Sequence, residues 1–365
     1  MLVPDAEIQQ TLSAITPQDS EARRQAFARL DALTKPVGSL GRLEEIAAQY
    51  VGMTGRVSPA PLNPIVFTLA ADHGVAAEGV SAYPQSVTAQ MVKNFVRNGA
   101  AVNVLARHAG AAVRVVDMGV ADELDGLSGF VNHKIAYGTN NFIKEPAMSR
   151  EQACRSIRIG IDLAKHACAE GNNLLAVGEM GIGNTTASAA VVSVLTGRSV
   201  ESVTGRGTGV DEQRLHHKIG VIEQALSLHR PSPSDALDVL AKVGGFEIGG
   251  MAGIILGAAA CKAPVALDGF ITGASALIAV ALQPRCREYL MASHTSQEPG
   301  HRIALDHLQL EPLLDLRLRL GEGTGACLAI SLIRAALNIY TNMATFEEAR
   351  VDGALLREAG SHGRS

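Results

Sequence analysis

With 365 residues the chain is long enough to bury a full-sized core, as one large domain or one large domain with a small companion. Its 32 basic and 36 acidic side chains leave a formal charge of −4 without a basic block, and only 4% of residues are aromatic, none of them tryptophan. Neither the electrostatic footprint of a nucleic-acid or anionic-membrane binder nor a stacking platform for bases is therefore expected.

The start, Met1 to Glu7, shows no basic segment followed by an apolar one, so no secretory signal is expected. Residues 1 to 59 are comparatively polar and read as helices, with Leu40 to Tyr50 repeating apolar residues at helical spacing. Ser58-Pro59-Ala60-Pro61-Leu62-Asn63-Pro64 then reads as a connector.

Beyond it, short apolar runs alternate with helical segments. The runs Ile65–Ala71, Ala112–Met118, Leu174–Gly178, Val265–Leu267 and Tyr289–Ala292 are expected strands. One intervening helix is well marked: Ser149 and Gln152 form a capping box, Ala153, Ile157, Ile161, Ala164 and Cys168 make one apolar stripe, and Gly171 supplies the stop. Strand–helix alternation of this kind predicts an α/β fold, a largely parallel sheet covered on both faces. The most apolar region, Val243 to Pro284, is interrupted by Glu247, Lys262 and Asp268. Its uncharged stretches fall short of the roughly 18 residues of a membrane span, so buried helices are expected. The five cysteines (154, 168, 261, 286 and 327) are scattered, odd in number and never spaced Cys-x-x-Cys, which suits reduced thiols in the cytoplasm.

Polar chemistry gathers where the expected strands end: Asp72-His73, Asp117, Glu179, Asp268 and Ser293-His294. Open α/β sheets bind ligands beyond the carboxyl ends of their strands, so a site is expected along that edge.

Two segments carry the sharpest signal. Gly178 to Thr186 and Leu320 to Gly325 each set one carboxylate, Glu179 or Glu322, in a run of glycines opening into an apolar helical stretch. A helix N-terminus behind such a turn offers N–H donors and partial positive charge to a phosphate. Gly181, Gly183, Asn184 and Thr185 form one candidate phosphate and ribose cradle. Gly205, Gly207, Thr208 and Gly209 form a second, with Lys218 one helix further. Neither is a Walker loop, because no Gly-Lys-Ser/Thr follows, and the first lacks the third glycine of a dinucleotide fingerprint. A glutamate beside an anion cradle suggests a separate, uncharged or cationic reacting group. Ser81, Tyr83, Gln85 and Gln90, together with Leu320 and Gly321, supply a candidate pocket for a flat apolar heterocycle. In the helix that follows, Val87, Met91 and Phe95 read as core. The run Ser293 to His301 carries His294, Glu298 and His301, but Pro299 and Gly300 break the single helical face that a zincin site needs.

In these motifs the chain resembles the nicotinate-nucleotide:dimethylbenzimidazole phosphoribosyltransferases of cobalamin lower-ligand synthesis. The shared segments run from about Leu33 to Ala336 and include Thr34-Lys35-Pro36-Val37-Gly38-Ser39-Leu40-Gly41, Ala71 to Val75, Ser81 to Gln85, Gly178 to Thr186, Gly205 to Asp211, Val243 to Ile248, Leu267 to Gly273, Ser293 to His301 and Leu320 to Ala326. Val37 stands where the family often has a second proline. The resemblance implies a Rossmann-like large domain (60–337), a small helical domain from both termini (1–59 with 338–365), and a homodimer whose sites are partly covered by the partner. It implies transfer of phosphoribose from nicotinate mononucleotide to 5,6-dimethylbenzimidazole, with Glu322 as base and Glu179 as a second carboxylate important to the site; because the pyridinium leaves as a neutral ring, no metal or cofactor is expected. Two other readings fit some of the same residues: a metal-dependent hydrolase built on Asp72, His73, His294, Glu298 and His301, and a nucleotide-binding protein without turnover.

Overall fold

A computed structural model describes residues 5–207 and 209–352. Six strands, all parallel, form one sheet: β1 (Pro64–Ala71), β2 (Ala112–Gly119), β3 (Val131–Asn132), β4 (Leu174–Met180), β5 (Val265–Leu267) and β6 (Leu290–Ala292). Their order is β3-β2-β1-β4-β5-β6. The five expected strands are all present. Only β3 went unanticipated, because two residues are too few to show a period. Every residue of β1 and β5 is buried, as parallel strands covered on both faces must be.

The capping box at Ser149 and Gln152 forms as expected and starts the helix Arg150–Ala169. That helix packs along Phe246–Ala260, an all-round apolar helix buried over nearly its whole length. The seam is backbone on backbone: a Cβ at Gly160 would fall 1.9 Å from the Gly250 carbonyl oxygen, and one at Gly253 would fall 2.0 Å from that of Ile157. Among the described residues one helix, Thr324–Asn342, is long and apolar enough to cross a membrane, and 56% of its most apolar 18-residue window is buried inside the protein.

Contacts divide the described chain into two units. The larger takes residues up to Pro17 and Pro61–Ser331, the smaller Gln18–Ala60 and the described residues from Leu332 on. The expected division at 59/60 and 337/338 differs mainly at the start, because the helix Ala6–Ala14 packs against Arg150–Ala169 and Phe246–Ala260. Its buried Ile8 and Leu12 make it part of the large unit's core. In the small unit the Lys35 ammonium pairs with the Glu44 carboxylate at 2.8 Å, both buried, and Glu44 also accepts the Leu40 N–H, which closes the Thr34 to Gly41 turn. Of the helical tail expected from Glu347, the structure describes Phe346–Ala349; the fraying end from Gly360 lies outside the described residues.

Candidate active site

β1 and β4 are neighbours, yet the chain leaves β1 toward β2 on one side and β4 toward β5 on the other. This is the switch point of a doubly wound sheet, where the strand ends part and leave a crevice. Asp72, His73, Asp117, Glu179, Asp268, Ser293 and His294 all stand along this edge and all are buried. Asp117 and Glu179 lie within the last residues of β2 and β4 rather than after them.

Above β4 sits the turn Gly321-Glu322-Gly323, whose φ angles are +85°, +66° and +102°. Three successive left-handed residues explain the two glycines, and the middle position costs a non-glycine residue about 1–2 kcal/mol. Its surroundings hold it there. The Glu322 N–H donates to the Glu179 carbonyl at 3.1 Å, and Thr68 Oγ1 donates to the Glu322 carbonyl at 2.9 Å. Asp268, from the end of β5, accepts the N–H groups of Gly323, Gly325 and Ala326 at 3.0, 2.6 and 3.1 Å. One carboxylate thereby caps the helix Thr324–Asn342 and clamps the turn. In the sequence Asp268 is only a polar residue at a strand end, because the N–H donors it serves lie far along the chain.

The Glu322 carboxylate turns to the N-terminus of the helix Ala101–Ala109, where Oε2 accepts the Val102 N–H at 3.3 Å. Burial raises its pKa, and the Val102 N–H opposes that shift. The Glu179 carboxylate points the other way, toward Gly321, and accepts from the Asn184 side-chain amide. Burial holds Glu179 well above the usual carboxylate range, reinforced by Glu247, Asp268 and Glu322 nearby.

The first glycine loop opens the helix Asn184–Thr196 with Gly183 at its N-cap, and Thr88 Oγ1 accepts the Ile182 N–H at 3.2 Å. In the second loop the Gly207 N–H donates to Glu298 at 2.8 Å. Lys218 joins the two: its ammonium donates to Thr185 Oγ1 at 2.7 Å and to the Gly205 carbonyl at 3.3 Å. Burial pulls the Lys218 pKa down to about 8, with Glu298 opposing. Thr208 lies outside the described residues.

Beside them lies a cleft of about 280 Å³ whose lining includes Glu179, Gly181, Asn184, Thr185 and Gly207, whereas Gly183, Lys218 and Glu322 stand behind that lining. Of the six residues expected to hold a heterocycle, Tyr83, Leu320 and Gly321 line it. Ser81, Gln85 and Gln90 do not border this cleft, and Gln85 and Gln90 are exposed. Gly205 and Gly209 line an adjoining cavity shared with Glu298 and Arg319. The Val87–Val96 helix buries Thr88, Ala89, Val92 and Phe95, so of the expected stripe only Phe95 is core, while Val87 and Met91 are half-buried. Arg319, not among the expected site residues, also lines the cleft, and its guanidinium donates to the Gly207 carbonyl at 3.4 Å. Its one sequence signal is its place just before Leu320-Gly321.

The histidines are engaged otherwise than a metal centre would need. His73 Nε2–H donates to Glu247 at 2.7 Å, and His301 Nδ1 accepts the Ser296 N–H at 2.9 Å. The His294 and His301 rings lie 6.0 Å apart, and burial lowers both pKa values, to about 4 and about 3. Among the described residues no three His, Cys, Asp or Glu side chains are placed to hold a metal ion.

The family whose model is described as "Phosphoribosyltransferase" matches residues 15–351. The nicotinate-nucleotide–dimethylbenzimidazole phosphoribosyltransferase of Chloroflexus aggregans is 58% identical over 342 residues, covering 94% of this chain and 97% of that one. The protein of the same name from Geotalea uraniireducens is 56% identical over 344 residues, covering 94% and 98%. The crystal structure of the Thermus thermophilus enzyme of that name superposes with a TM-score of 0.86 at 48% identity, covering 92% of this chain and 100% of its own.

Proposed function

The chain belongs to the nicotinate-nucleotide–dimethylbenzimidazole phosphoribosyltransferase family, and from that premise we propose how its cleft performs the transfer. The enzyme moves the phosphoribosyl group of nicotinate mononucleotide to 5,6-dimethylbenzimidazole, giving α-ribazole 5′-phosphate and nicotinate. In our reading the donor's phosphate rests on the Gly181–Gly183 and Gly205–Gly209 loops, with Lys218 bonding Thr185 beneath them. The aromatic rings would then lie against Tyr83, Leu320 and Gly321, which line the cleft.

The pyridinium departs as a neutral ring, so the leaving group needs no acid. The incoming benzimidazole must lose its N–H proton while its other nitrogen attacks C1′. Attack comes from the face opposite the departing ring, which gives inversion and the α configuration. Glu322 is the proton acceptor in this proposal. The observation that carries it is the left-handed, clamped Glu322 turn, with one carboxylate oxygen held by the Val102 N–H. Such a residue is fixed before substrate arrives, and its raised pKa brings it closer to the neutral value that suits a base. Glu179 faces the cleft, where positive charge on the ribosyl group would favour its ionised form and be stabilised in return.

Replacing Glu322 by Gln is the test. Nicotinate release should slow by about 10²–10⁴ while KM for the mononucleotide stays within threefold. Activity within threefold of wild type would remove Glu322 from the base role.

The working form in this reading is a cytoplasmic homodimer. Tyr83 and Leu320 are 55% and 58% exposed beside the cleft, apolar surface that a second subunit would cover. The cysteines are unpaired among the described residues. Sedimentation at micromolar concentration should give twice the 38.1 kDa chain mass; a monomer there would refute the dimer.

A further inference from the structure

A second buried pair lies beside the first glycine loop, and its Glu247 enters the chemistry above only through its charge near Glu179. His73 follows β1, and Glu247 stands in the first turn of the helix Phe246–Ala260. Both side chains are fully buried, and Nε2 of the imidazole donates to the Glu247 carboxylate at 2.7 Å. Burying a carboxylate and an imidazole together is costly unless their mutual geometry is needed. The helix carrying Glu247 is fixed by the glycine seam with Arg150–Ala169, so the acceptor has little freedom to move.

The ring is wedged against the loop. A Cβ placed on Gly181 would lie 3.4 Å from His73 Cδ2 and Nε2, and one on Gly183 would lie 3.1 Å from His73 Cβ. On the other side, a Cβ at Gly245 would fall 2.4 Å from His73 Cε1. His73 thus lies between the Gly181–Gly183 turn, which meets its ring and its Cβ, and Gly245, which leads into Glu247. Gly181 also packs on the Ala71 carbonyl, and the turn leads directly into the N–H groups at the start of Asn184–Thr196.

We propose that His73 and Glu247 are a positioning pair for the donor's phosphate: Glu247 fixes the imidazole, and the imidazole fixes the Gly181–Gly183 cradle. This inference rests on the reading that the cradle holds phosphate. Neither residue touches the reacting atoms.

The experiment compares kcat/KM for nicotinate mononucleotide with kcat/KM for the unphosphorylated nicotinate riboside. Glu247→Ala should lower the first at least tenfold, mainly through KM, and the second less than threefold. Glu247→Gln keeps an acceptor for Nε2–H and should restore the mononucleotide value to within threefold. Should Glu247→Ala fail to fold, Glu247→Asp keeps the charge but withdraws the acceptor by one methylene, and should show the same split at smaller amplitude. Equal losses on both substrates, or no loss, would overturn the proposal. Gly183→Ala separates the positioning role from the phosphate site itself. If Gly183→Ala discriminates between the substrates and the Glu247 variants do not, the positioning pair falls alone. If Gly183→Ala does not discriminate either, the phosphate lies elsewhere and both readings fall.

Discussion

Glu322 and Glu179 are joined through the main chain, the N–H of the first donating to the carbonyl of the second at 3.1 Å, while their carboxylates diverge. One side chain turns to the Val102 N–H and the other to Gly321 and Asn184. Two acidic groups can thus serve opposite sides of one turn without sharing a proton. The contact depends on Gly178, where a Cβ would lie 2.2 Å from the Gly323 nitrogen and 2.5 Å from the Glu322 carbonyl oxygen.

Gly178→Ala should therefore act on both glutamates at once. The clash is with backbone, so the turn must move. Overpacking of this type costs about 1–3 kcal/mol. The expected result is a lowered melting temperature and a loss of kcat of at least tenfold, checked by calorimetry and nicotinate release. An unchanged kcat would show that the close approach does not matter to catalysis.

The pH dependence follows from the direction of the Glu322 shift. A base works deprotonated, so activity is present above its pKa and lost as pH falls through it. Because burial raises that pKa, the acid limb of kcat/KM should lie above the ordinary glutamate value of about 4.3. Glu322→Gln should abolish the limb along with most of the rate. A limb that persists in the variant would belong to another group.

Asp268 is expected to link the turn to stability. Asp268→Asn keeps the shape but exchanges an acceptor for an NH2 group facing N–H donors, at a cost of about 1–3 kcal/mol. Burial pushes the Asp268 pKa up to about 7, so the folded protein retains a proton that the unfolded chain releases near about 3.9. This group's contribution to stability is full below that lower value and declines as pH rises toward 7. Melting curves from pH 4 to 7 should show a flatter decline in the variant than in the wild type.

Lys218 should impose an alkaline limit on donor binding. Its pKa of about 8 means that the ammonium, charged at neutral pH, is lost as pH rises through that value. KM for nicotinate mononucleotide should climb above pH 8 in the wild type. Lys218→Met should start with a KM raised at least tenfold at pH 7 and show no further climb. A parallel climb in both proteins would assign the effect elsewhere.

The sequence by itself determined the fold class, five of six strands and the edge where the chemistry collects. Apolar runs in parallel strands are continuous, and strand ends must carry whatever polar groups the crevice displays. It marked Glu322 and Glu179 because glycines around a carboxylate form a local signal. Only tertiary structure decided the rest. The Asp268 clamp, the Lys218 link between loops and the His73–Glu247 wedge each join residues far apart in the chain, and no short window contains both partners. The same physics withdrew Ser81, Gln85 and Gln90 from the cleft lining, since residue type can suggest a pocket but only packing decides which side chains face it.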